Sequence, residues 1–118
     1  MLATDRLLEI EERFSAAIDH LVPLDLDGGL LRLIIYLKDE TNLRLTEQWN
    51  GNQLERYSYY WLTKTNALII GWDNAPHHIR LETFPHHKHA GSQTNLQPST
   101  ETRLEEVMAF IRTARQKS

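Results

Sequence analysis

The chain has 118 residues, no cysteine, four prolines, five glycines, 41% hydrophobic and 25% charged residues, which predicts one compact soluble domain over 1–118. Without cysteine, a disulfide framework, a thiolate metal site and a cysteine nucleophile are excluded. A formal charge of −3 and a pI near 6.0 exclude a protein that coats nucleic acid by charge alone, so any RNA or DNA contact is local. The apolar runs Leu33 to Leu37 and Ala67 to Trp72 are too short to span a membrane, and Asp5, Glu9, Glu11 and Glu12 stand where a secretory signal needs an apolar core; a cytoplasmic protein without membrane contact is expected.

Leu7, Ile10, Phe14, Ala17, Ile18 and Leu21 recur at intervals of three and four, which predicts a first helix capped by Thr4 and stopped by Pro23. The period then becomes two. Leu31, Leu33, Ile35 and Leu37 share a strand face, and Leu43, Leu45, Glu47 and Trp49 share another. Asn50-Gly51 marks a hairpin into a third strand, Leu54 to Leu62, with Tyr57, Tyr59 and Trp61 on one face and Arg56, Ser58 and Tyr60 on the other. Lys64-Thr65-Asn66 turns into a fourth strand, Ala67 to Trp72. Residues 79–84 alternate as a short edge strand between Pro76 and Pro85, whereas 90–98 read as a loop. Ser99 or Thr100 caps a last helix with the apolar stripe Leu104, Val107, Met108 and Ile111, and Arg112, Arg115 and Lys117 complement its C-terminus. The fold class is α+β: a four- to five-stranded antiparallel meander, with the two terminal helices on the face holding Leu33, Ile35 and Ile70.

Five of the six histidines lie between His77 and His89, in Asp73-Asn74-Ala75-Pro76-His77-His78 and Pro85-His86-His87-Lys88-His89. Imidazole exchanges protons near neutrality and is the commonest metal ligand, so the cluster admits two chemistries. In the first, phosphodiester cleavage without a metal, the base and acid come from His77, His78, His86, His87 and His89. Lys88 stabilises the phosphate, Asp73 orients an imidazole, and Tyr57, Tyr59, Asn74 and Arg80 contact substrate. His87 and His89 rank first as base and acid, because alternation aims both at one face with Lys88 between them. In the second, Asp73, His77, His78, His87 and His89 are ligands of a divalent metal. No zinc signature is present, so the first scheme is favoured and no cofactor is expected, with a divalent metal as the alternative. A straight strand over 79–84 would hold the two histidine groups about 20 Å apart at roughly 3.3 Å per residue, so either the segment bends or a symmetric homodimer joins them.

These residues resemble the TumE family of small prokaryotic toxins: Tyr57-Ser-Tyr59 on a strand, the two histidine motifs in order, and the closing Leu104-Glu-Glu-Val107-Met108-Ala-Phe110-Ile111. The resemblance implies the toxic half of a type II toxin–antitoxin pair, inhibited by direct binding of a cognate antitoxin protein. It does not supply a reaction. A ribonuclease acting on RNA by acid and base chemistry is the reading of the residues themselves, and its competitor is a binding module that recognises protein or nucleic acid without turnover.

Overall fold

The computed structural model describes residues 1–116. Helix α1 (Ala3–Arg13) is followed by β1 (Ile18–Asp27), β2 (Leu30–Leu37), β3 (Asn42–Asn50), β4 (Gln53–Leu62), β5 (Leu68–Asp73), β6 (His87–Ala90), β7 (Leu96–Pro98) and helix α2 (Leu104–Gln116). Every strand pairs antiparallel with the next, giving a seven-stranded meander in chain order rather than the four or five strands expected. The shortest dimension is 21 Å, the thickness of one sheet and one helix layer at a spacing of about 10 Å.

Both helices cover one sheet face. Leu31, Leu33 and Ile35 on β2, Leu43 and Leu45 on β3, Tyr59 on β4 and Trp72 on β5 are buried there against Ile10 of α1 and Leu104, Val107 and Ile111 of α2, with Ile70 packed at the margin. Within this layer Glu47 receives Arg6 Nε at 2.8 Å, Tyr59 Oη at 2.7 Å and Trp49 Nε1 at 2.9 Å. The guanidinium of Arg6 also reaches Glu105 of α2 at 3.1 Å, so two ion pairs sharing Arg6 tie the two helices to the sheet.

Four strands lie within a residue or two of their expected positions. Two differences are physical. The first helix ends at Arg13 rather than running to Pro23, and Ile18–Asp27 is an edge strand. A bulge at 18/20 interrupts its alternation, so Ile18 and Leu21 both face inward at a spacing of three that imitates a helix, while Val22 turns to the other face. Pro23 is tolerated because an edge strand has one unpaired side. Thr4 is not the cap; Leu2 occupies that position without a side-chain hydrogen bond.

The second difference is the far edge. Residues 79–84 form turns instead of a strand, with Ile79 73% exposed, and β6 takes the place beside β5. The expected loop 90–98 contributes Ala90 to β6 and all of β7, joined around Gly91 at φ +78°. Helix α2 begins at Leu104, later than a cap at Ser99 or Thr100 implies, and Glu106 Oε1 accepts the Thr102 N–H at 3.0 Å. Lys117, assigned to its C-terminus, lies outside the described residues. No helix among the described residues is long and apolar enough to cross a membrane.

Candidate functional site

The uncovered face of the sheet carries the site. Because Tyr60 pairs with Gly71 and Gly71 with His89, while Ser58 pairs with Asp73 and Asp73 with His87, these positions project away from the helices. Gly71 matters here: a Cβ on it would lie 2.4 Å from the Tyr60 ring, so only glycine lets that ring lie across β5.

Asp73 ends β5, and its Oδ1 accepts the Ala75 N–H at 2.9 Å, which turns the chain out of the sheet. Asn74 fixes the same corner, accepting the Tyr57 N–H and donating to the Glu55 carbonyl, both at 2.9 Å. The following turns carry residues 77 and 78 back over β6. The separation expected for a straight strand over 79–84 therefore does not arise, and one chain brings both histidine motifs together without a partner copy.

His78 packs edge-on against His87 with ring centroids 4.9 Å apart; His87 and His89 are separated by 5.1 Å, and His77 lies 6.4 Å from His78. These rings, Asp73, Tyr60, Arg56, Thr46 and Ser58 line an open cleft of about 450 Å³. At its base His87 Nε2 is 2.9 Å from Asp73 Oδ1, and His89 Nε2 is 3.5 Å from Asp73 Oδ2. The opposite ring nitrogens are also engaged, His87 Nδ1 by the Pro85 carbonyl at 3.0 Å and His89 Nδ1 by the Gln93 carbonyl at 2.9 Å. Burial, then the Asp73 carboxylate, pushes the Tyr60 hydroxyl above its ordinary range; it stays protonated in contact with Asp73 and Gln93. Among the described residues, Asp73, His87 and His89 form a trio whose ligand atoms lie within 4.8 Å of one another.

The cleft thus gathers Asp73, His77, His78, His87 and His89. Of the remaining expected residues, Tyr57 contributes to the cleft lining and the others lie elsewhere. Lys88 points to the helix face, 3.1 Å from Glu101 and over the Phe110 ring, because alternation that aims His87 and His89 one way aims Lys88 the other. Tyr57 and Tyr59 alternate to the helix face, and although Tyr57 borders the cleft, the two residues are only 4% and 0% exposed, which leaves no open ring face for a base to stack on. His86 is hydrogen-bonded to Tyr57 Oη at 2.8 Å and stacked on that ring, and burial lowers its proton affinity. Asn74 is spent on backbone groups, and Arg80 is exposed in the turns and not among the lining residues. Arg56 and Tyr60 were not foreseen, although the alternation of β4 already set both opposite Tyr57 and Tyr59.

The family model described as Toxin TumE matches residues 4–115, nearly the whole chain. The chain belongs to the TumE toxin family. Membership makes it the toxin of a toxin–antitoxin system, with a cognate antitoxin as partner. No curated protein and no solved structure matches the chain.

Proposed function

We propose that this TumE toxin is a ribonuclease whose reaction takes place in the histidine cleft. The observation that carries the reading is the convergence of imidazoles from two separate sequence motifs, with a carboxylate and Arg56, in one open cleft. His77 and His78 supply the base and acid, because they alone among the cleft histidines have ring nitrogens not committed to Asp73 and a backbone carbonyl. This reverses the ranking drawn from alternation, which placed His87 and His89 first.

In this scheme one imidazole takes the proton of a ribose 2′-hydroxyl as the O2′–P bond forms. The other gives a proton to the departing 5′ oxygen as its bond to phosphorus breaks, leaving a 2′,3′-cyclic phosphate and a 5′-hydroxyl. Arg56 replaces Lys88 as the cation near the phosphate. Arg44, opposite Tyr60 on the same face and exposed, extends a short basic track for the RNA backbone, local as the acidic net charge requires.

The test is purified protein on an RNA oligonucleotide and on the same oligonucleotide with deoxyribose at the cleaved residue. Cleavage of the first with cyclic phosphate ends, and none of the second, is expected. Equal cleavage of both, or 3′-hydroxyl ends, would remove the 2′-hydroxyl from the mechanism, and no cleavage of any RNA would leave the binding-module reading.

A further inference from the structure

We propose that Asp73, His87 and His89 form a binding site for one divalent transition-metal ion, with Zn²⁺ as its fitting representative. A backbone carbonyl oxygen can only accept, so the contacts from His87 Nδ1 to Pro85 and from His89 Nδ1 to Gln93 place the hydrogen on Nδ1 in both rings. In the neutral imidazole each Nε2 is then a bare lone pair.

Both lone pairs converge on the two oxygens of the same carboxylate, at 2.9 and 3.5 Å. Acceptor facing acceptor is repulsive, and the side chains concerned are only 2–12% exposed, so water does little to relieve it. A positive species among the three resolves the conflict. A proton on one Nε2 satisfies that ring's contact with Asp73 but leaves the other Nε2 facing an oxygen. A single cation satisfies all three acceptors at once.

The spacing agrees. Ligands about 2.0–2.2 Å from a tetrahedral ion lie roughly 3.3–3.6 Å from one another, and the three ligand atoms here fall within 4.8 Å. The outer partners are also those of metal-binding histidines, with each Nδ1–H held by a carbonyl and the carboxylate oriented by Tyr60 and the Ala75 N–H. Two imidazoles and one carboxylate suit a borderline ion such as Zn²⁺, and three protein ligands would leave a fourth position for water or another ligand. The sequence offers these three only within a pool of five candidate ligands, because their spacing, Asp73 then His87-x-His89 on paired strands, matches no helical or knuckle signature that would single them out.

The site does not depend on the ribonuclease reading, and its test reads binding rather than cleavage. Chelator-treated, dialysed full-length protein is titrated with Zn²⁺ by calorimetry. One ion per chain is expected, with affinity falling at least 10- to 100-fold, the cost of losing even an outer partner, in His87→Ala and in His89→Ala, and unchanged in His86→Ala. Because Asp73 and both rings are buried, a second measurement on the unmutated chain guards against misfolding: ¹⁵N imidazole spectra should show two rings that keep Nδ1–H while their Nε2 resonances move on Zn²⁺ addition. No saturable complex, full affinity in the His87→Ala/His89→Ala double variant, or shifts confined to His77 and His78 would overturn the proposal.

Discussion

Glu47 and Arg6 are among the largest fully buried side chains, and both are charged. Burial works against the Arg6 charge, but Glu47 and Glu105 outweigh it and hold the guanidinium firmly protonated. Removing one partner leaves the other charge buried without compensation, so Glu47→Ala should cost about 3–5 kcal/mol in urea unfolding, whereas the Arg6→Met/Glu47→Leu double variant should recover much of that loss. A cost under about 1 kcal/mol for Glu47→Ala would mean that the pair is solvated. Glu105 adds a pH dependence. Burial raises its affinity for a proton, yet the hydrogen bond and charge of Arg6, with Arg13 beyond, prevail and its carboxyl lies below the ordinary value. Its folded value is below its unfolded one, so its contribution is present above the unfolded carboxyl range, near pH 4.5, and is lost as pH falls through the folded value. Acid titration of the melting temperature should show this fall, and Glu105→Gln should flatten it while lowering stability at neutral pH.

At the scale of elements, alternation is both the reason the site exists and the reason part of it was misread. Strand β6 sends His87 and His89 to the open face and Lys88 to the helices, where it meets Glu101 and Phe110. Sequence proximity alone had put all three on one phosphate. Lys88→Ala should therefore lower stability by about 1 kcal/mol, through a half-buried ion pair and a cation–π contact, and leave growth arrest unchanged; loss of toxicity in a folded variant would return Lys88 to the site. The central strands β2 to β5 were legible because each buries one face and turns at polar or glycine-bearing positions. The edges were not. A bulge in β1 gave a strand the inward spacing of a helix, and β6 with β7 is a short hairpin whose pairing is set by register against β5, a long-range fact that local periodicity does not carry.

For the whole molecule, the meander gives its two faces different contents: the helix-covered face holds the hydrophobic core, and the open face carries the candidate cleft. The candidate residues were legible as a pool, since the histidine density is visible in the chain, but their division was not. It took the turns after Asp73 to bring His77 and His78 over β6 and to set His86 apart on Tyr57. As a toxin of the TumE family, the chain should arrest bacterial growth when induced alone, and its cognate antitoxin should reverse the arrest by binding. If the cleft cleaves RNA as proposed, His77 and His78 are its proton carriers. The most direct measurement is the single-turnover cleavage rate of one RNA by the wild-type chain and by folded His77→Ala and His78→Ala variants. A fall of about 10²- to 10⁴-fold is expected for each, the usual contribution of a positioned proton transfer. Cleavage by both variants at the wild-type rate would contradict that role.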